Sequence, residues 1–286
     1  MSFERVGVVG CGLMGSGIAE VCARAGLDVV VVDADDASVQ AGRGRIEASL
    51  ANAVRRGKLD AADEAQALEA ISFSADLGAL ADRQLVVEAV TEAEDVKTEV
   101  FRSLDAVVED PQAILASNTS SIPIMKLGVA TGRPEQVIGI HFFNPVPVLP
   151  LVELVSSLVT SPETTDRAAG FASGTLGKHV IRSQDRAGFI VNALLIPYLL
   201  SAIRMLESGF ATAEDIDAGM VQGCAHPMGP LALTDLIGLD TTMAVAVSLY
   251  EEFKEPLYAP PPLLSRMVEA GLLGRKSGRG FHTYDR

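Results

Sequence analysis

The fold turns on Arg5–Asp35, "RVGVVGCGLMGSGIAEVCARAGLDVVVVDAD". Val6–Val9 is a short apolar strand, and Gly10, Gly12 and Gly15 follow it in the order G-x-G-x-x-G. Met14 to Ala25 has a helical pattern, closed by Gly26 as a C-terminal stop. Leu27–Val32 then reads as a second buried strand, ended by Asp33. A lone G-x-G-x-x-G says little. Here it follows a strand, opens a helix and is answered by an acid at the end of the next strand, the context of a dinucleotide-binding turn. Gly10 permits the tight turn. Gly12 lets the backbone approach a pyrophosphate seated on the helix N-terminus, and Gly15 lets helix and strand close up. A carboxylate at Asp33 accepts from a ribose 2′-hydroxyl and repels a 2′-phosphate, so NAD is expected rather than NADP.

Working outward, buried strands recur at Leu85–Ala89, Ala113–Ala116 and Val137–Ile140, with helical patterns between them such as "DVKTEVFRSLDAVV". This alternation predicts an α/β fold, a Rossmann-type doubly wound and mostly parallel sheet, over residues 1–185. Ligands of such sheets bind outside the carboxyl ends of the strands. Three polar clusters fall there: "TEAEDVK", "SNTSS", and His141 with Asn144 just past the last of these strands. Residues 38–70 read as two long helices, a helical-pair insertion larger than a crossover needs. It holds Arg43, Arg45, Arg55, Arg56 and Lys58, while Glu47 and Asp60 are the acids between 40 and 60. That is either a solvated helix face or a local site for a polyanionic substrate handle.

From 186 to 286 the pattern is all helical. Phe189–Leu206 is a long apolar helix, hydrophobic on most sides, which suits a buried core helix or one shared with another subunit. Thr212 stands as N-cap to the next, with Asp215 three residues on. The chain has 286 residues and a net charge of −14, which argues against nucleic acid as a partner. No uncharged apolar run reaches a membrane span, and the N-terminus lacks the basic start and apolar core of a signal peptide. Cys11, Cys22 and Cys224 show neither disulfide nor metal spacing, and no metal site is expected. A cytoplasmic protein without a membrane partner is the expectation.

One further stretch, Ile138–Val155 or "IGIHFFNPVPVLPLVELV", sets His141 and Glu153 in apolar surroundings with prolines at 145, 147 and 150 between them. Singly, they read as a core histidine and a surface glutamate on an edge strand. Strand alternation puts Leu151, Glu153 and Val155 on one face, and the proline turn can fold that face back towards His141.

Together "GCGLMGSGIA", "SNTSS", "HFFNPVPVLPLVELV", "GFIVNALL", "HPMGPLALTDLIGLDT" and "GRKSGRGFHTY" resemble the (S)-3-hydroxyacyl-CoA dehydrogenases, and among them the short stand-alone bacterial 3-hydroxybutyryl-CoA dehydrogenases. The resemblance runs in order along essentially the whole chain. It implies an NAD-binding domain followed by a helical domain that completes the substrate site and makes a homodimer, or an assembly of dimers. By position, it makes His141 the catalytic base and Glu153 its acidic partner, with Ser120 and Asn192 on the reacting oxygen. NAD contacts fall on Gly10, Gly12, Leu13, Met14, Gly15, Asp33, Glu92, Lys97, Asn144 and Lys276. CoA contacts fall on Ser49 and, with arginine for the family's lysine, on Arg56. "RAGFIVNA" departs from the family's more usual Pro-Gly-Phe and Val-Asn-Arg.

The chemistry implied is oxidation of a 3-hydroxyacyl-CoA, of short chain, in fatty-acid or butanoate metabolism. Histidine suits a reversible proton transfer because its ordinary pKa lies near neutrality, and a glutamate on its ring orients it and stabilises the charged form. A hydroxy-acid dehydrogenase of the gulonate type, without CoA, is the alternative on the same scaffold; the arginine-bearing helical pair favours CoA. His179, His226 and His282 lack a comparable constellation and read as structural.

Overall fold

The structure, a computed structural model, describes residues 3–284. The chain divides into two compact units, Met1–Asp185 and Arg186–Arg286.

The first unit is built on one eight-stranded sheet: β1 (Arg5–Val9), β2 (Asp28–Val32), β3 (Ile71–Ser74), β4 (Leu85–Glu88), β5 (Ile114–Ser117), β6 (Val137–Phe142), β7 (Leu151–Ser156) and β8 (His179–Gln184). Their spatial order is β3-β2-β1-β4-β5-β6-β7-β8. Every pairing is parallel except β6 with β7. The central strands are buried almost end to end, which is why they read as unbroken Val, Ile and Leu runs. The two edge strands are different. β3 is "ISFS" and β8 is "HVIRSQ", both half-exposed and polar, so neither was legible from the sequence. β6 also runs two residues past the expected Ile140, which puts His141 on the strand rather than after it.

The helices of this unit are α1 (Leu13–Arg24), α2 (Asp36–Arg55), α3 (Ala61–Glu69), α4 (Glu94–Val107), α5 (Ile124–Gly128) and α6 (Pro162–Gly170). The side chain of Asp35 caps α2 by accepting the Ser38 N–H at 2.7 Å. Only Val39, Gly42, Ile46 and Leu50 of α2 are buried, a one-face stripe that seats it on the unit and leaves its other faces open. The core of the unit runs along β1, β2 and β4 to β7, with α1, Ile46 and Leu50 of α2 and Ala168 of α6 packed into it.

The second unit holds α7 (Val191–Glu207), α8 (Ala213–Cys224), α9 (Pro230–Ile237), α10 (Leu239–Phe253) and α11 (Pro262–Glu269) around a core of Ile196, Leu200, Ile203, Leu231, Leu239, Leu249 and Leu264. As expected, Thr212 caps α8, its hydroxyl accepting the Asp215 N–H at 3.1 Å. Two buried carboxylates tie the C-terminal segment down. Asp217 accepts the N–H groups of Leu231 and Ala232 and meets His282 Nε2 at 2.8 Å. Asp235 accepts the N–H groups of Phe281 and His282 and the Tyr284 hydroxyl. No single helix among the described residues is long and apolar enough to cross a membrane.

Candidate active site

The β6–β7 hairpin joins the two residues that the sequence keeps twelve positions apart. His141 stands directly opposite Glu153 in the antiparallel register, so both side chains project from one face. Their atoms meet, Nδ1 to Oε2, at 2.8 Å. Glu153 is completely buried and His141 nearly so. A surface glutamate is therefore ruled out: a buried carboxylate persists only with a partner, and here the partner is an imidazole. The Phe143 ring packs against His141 at 4.5 Å between centroids. Lys178 clamps the connecting turn, its ammonium donating to the carbonyls of Val146 and Leu149. Burial, with Arg24 nearby, holds this lysine below the usual ammonium range.

Next to the hairpin lie the loops after β4 and β5. Asn118 receives the Phe142 N–H at 2.9 Å and so joins the "SNTSS" loop to β6. Glu92 is the hub of that loop. Its Oε1 accepts from Thr119 Oγ1 at 2.5 Å, from the Ser120 N–H at 2.9 Å and from Ser121 Oγ at 3.2 Å, with Ser120 Oγ at 3.4 Å. Burial pushes this carboxyl up, but Lys97, Thr119 and Ser120 outweigh it, and the group sits below the ordinary carboxylate range. Lys97 is 1% exposed. Its ammonium lies 2.5 Å from Glu88 and 3.3 Å from Glu92. Glu88 is buried in turn, taking the Val90 N–H and the Ser117 hydroxyl. Lys97 is thus sunk between the two carboxylates. Sequence reasoning missed Glu88 and Asn118, whose types carry no signal until the strands are set side by side.

The glycine loop has the form its spacing requires. Gly10 has φ +91°. A Cβ on Gly15 would stand 1.7 Å from the Gly10 carbonyl oxygen, whereas one on Gly12 would meet nothing within 4 Å. That open side leaves room for a pyrophosphate at the start of α1. Asp33 is half-buried at the end of β2, accepting the Cys11 N–H at 2.6 Å and the Ala34 N–H at 2.7 Å. The loop and this acid fit a dinucleotide with a free ribose 2′-hydroxyl.

A groove of about 600 Å³ opens between α1, α2 and the proline turn. Leu13, Arg45, Ser49, Arg55, Arg56 and Asn144 are among its lining residues. Asn144 is thus brought to one surface with Ser49 and Arg56, some ninety residues earlier in the chain. Lys58 lines a different cavity, beside the C-terminal end of α1, so the basic insertion is not one continuous patch. In the second unit, Asn192 sits in the first turn of α7, and Lys276 lies 2.6 Å from Asp240.

A glycine-loop domain carrying an imidazole–carboxylate pair at the carboxyl edge of its sheet defines a dinucleotide-dependent oxidoreductase. Comparison with known proteins narrows the class. Residues 5–186 match the family model "3-hydroxyacyl-CoA dehydrogenase, NAD binding domain", and residues 188–284 match "3-hydroxyacyl-CoA dehydrogenase, C-terminal domain". The chain is 62% identical over 283 residues to a 3-hydroxybutyryl-CoA dehydrogenase of Mycobacterium tuberculosis H37Rv, covering 99% of each. The crystal structure of M. tuberculosis FadB2 superposes with a TM-score of 0.99 at 61% identity over 100% of both chains. That of (S)-3-hydroxybutyryl-CoA dehydrogenase PaaH1 from Ralstonia eutropha gives 0.93 at 47% identity, again over 100% of both. The protein belongs to the 3-hydroxyacyl-CoA dehydrogenase family, as its motifs led one to expect, and is an NAD-dependent oxidoreductase.

Proposed function

We propose that the protein interconverts (S)-3-hydroxybutyryl-CoA and acetoacetyl-CoA. The observation that carries this is the buried His141–Glu153 pair, 2.8 Å apart, on the sheet edge that also bears the glycine loop. Bound NAD supplies the acceptor for the C3 hydride, and NADH the donor in reverse. Glu153 holds Nδ1, so His141 takes the hydroxyl proton at Nε2 and returns it there in the reduction. Ser120 hydrogen-bonds the reacting oxygen, on a loop fixed by Glu92; Asn192 contributes from the second unit. Gly10, Gly12, Leu13, Met14, Gly15, Asp33, Glu92, Asn144 and Lys276 are the cofactor contacts, with Lys97 acting through Glu92.

CoA occupies the groove. Its phosphates need local positive charge on a chain of net charge −14, and Arg55 and Arg56 stand there beside Ser49. Short-chain activity is supported by the likeness to the 3-hydroxybutyryl-CoA dehydrogenases above. The same likeness supports a place in fatty-acid or butanoate metabolism. A homodimer, or an assembly of dimers, forms through the second unit, supported by the exposed Leu194, Phe210 and Leu236 on its helices and loops. The cytoplasm is the compartment, as the spacing of the three cysteines suggests. A light-scattering mass of one 30 kDa chain at micromolar concentration would contradict the dimer.

The test is NADH oxidation followed by absorbance, with acetoacetyl-CoA and 3-oxoacyl-CoA esters of increasing length. The fastest kcat/KM is expected at the four-carbon ester. A comparable rate with free 3-oxo acids would overturn the CoA assignment. Arg55→Glu with Arg56→Glu should raise KM for acetoacetyl-CoA and leave that for NADH in place. Wild-type KM for the ester should also rise with salt, since exposed charges are screened over about 10 Å at 0.1 M.

A further inference from the structure

The cations of the insertion have different tasks. Arg43 lies over the Phe73 ring and reaches Glu47. Arg55 donates to Asn52. Arg45, itself exposed, reaches across to the glycine loop: its Nη1 donates to the carbonyl oxygen of Cys11 at 2.9 Å. Cys11 is the residue between Gly10 and Gly12. The same carbonyl accepts Ser16 Oγ at 2.9 Å, and the Cys11 N–H is held by Asp33. One residue of the glycine loop is thus gripped from one side by the acid that faces the ribose, and from the other by the helix that walls the groove. The helix approaches closely to do this. A Cβ on Gly42, one turn before Arg45, would stand 1.9 Å from the Cys11 sulfur.

We propose that Arg45 is a positioning residue that couples the two binding sites. It holds the Cys11 carbonyl from α2, so the shape of the cofactor loop depends on how the groove helix is seated, and NADH and CoA tighten each other's binding. The identity of the groove's occupant rests on the function proposed above. A ligand in the groove touches both walls, Leu13 and Ser16 on the α1 side and Ser49 and Arg56 on α2. It shields the Arg45–Cys11 bond from water, and a charge-assisted hydrogen bond strengthens as its surroundings dry. A loop already fixed costs NADH less to order, and the coupling is reciprocal. Arg55 and Arg56 line the same groove, and Arg55 donates to Asn52 on its own helix, so their charge serves the anion.

NADH fluorescence titrations, with and without saturating coenzyme A in its free thiol form, test this. In the wild type, CoA should lower Kd for NADH by about fivefold or more. In Arg45→Leu, Kd for NADH alone should rise by about tenfold, the scale of one charge-assisted hydrogen bond, and the CoA effect should disappear. Arg45→Lys keeps the charge without the planar fork and should fall between them. A variant that raises KM for the ester but leaves Kd for NADH unchanged would show Arg45 to be another phosphate ligand and overturn the proposal. If wild type fails to bind CoA or reduce its esters, the function proposed for the groove falls and the coupling with it. The hold on the loop is then judged by NADH alone: an unchanged Kd in Arg45→Leu sinks it as well.

Discussion

Among the described residues, two histidine–carboxylate pairs have the same length. His141 meets Glu153 at 2.8 Å in the first unit, and His282 meets Asp217 at 2.8 Å in the second. Their surroundings differ. Glu153 comes from a neighbouring strand in fixed register, and the Phe142 N–H beside His141 ties the pair's strand to Asn118, two residues before Ser120. Asp217 already caps the start of α9 through two N–H groups, and His282 is also bound through its backbone to Asp235. The first pair orients a ring; the second closes a fold. Distance alone does not separate a catalytic pair from a structural one. What separates them is where each pair stands: the first at the carboxyl end of a central strand, the second where a helix start meets the C-terminal segment.

The largest effect expected from this contrast is in turnover. His141→Gln should lower kcat by about 10²–10⁴-fold, the usual worth of general base catalysis, with NADH still bound in a fluorescence titration. His282→Gln should leave kcat nearly alone. Comparable losses in both would abolish the distinction. Glu153→Gln is expected to cost less than His141→Gln, since the base remains but its ring is poorly held; kcat at wild-type level would return Glu153 to a packing role.

Stability should show the reverse order. Asp217→Ala strands the Leu231 and Ala232 N–H groups at a helix start and should cost about 2 kcal/mol in urea unfolding. Kd for NADH should not move. Gly280→Ala attacks the neighbouring cluster, because its Cβ would lie 1.9 Å from Asp235 Oδ1. A loss of about 1–3 kcal/mol is expected, and a melting temperature equal to wild type would show that the C-terminal segment yields freely. Burial and the bond to Asp235 push the Tyr284 hydroxyl up to about 12, so it remains a donor at neutral pH.

The smallest effect concerns Glu92. Its folded pKa lies below the ordinary value of 4.5, so the folded state binds its proton less readily than the unfolded one. Its contribution to stability is present above the unfolded pKa and is lost as pH falls through the folded one. Unfolding curves below pH 4.5 should therefore be shallower in Glu92→Gln than in wild type; superimposable curves would remove Glu92 as the anchor of the "SNTSS" loop.

By itself the sequence determined the elements whose signal is local. The glycine turn, the acid ending β2, the apolar central strands and the helical second half could all be read, because backbone sterics, burial on both faces and helix capping act within a few residues. So could the alternation that sets Glu153 on one face of β7. The polar edge strands β3 and β8 could not, since half-exposed strands lack the apolar run that marks buried ones. Only the tertiary structure decided who meets whom. It brought His141 opposite Glu153, sank Lys97 between two carboxylates, and sent Arg45 to the glycine loop while Lys58 went to a separate cavity. The reason is physical: a charged or hydrogen-bonding group takes its meaning from the partner that desolvation forces upon it, and that partner is chosen by chain segments tens of residues away.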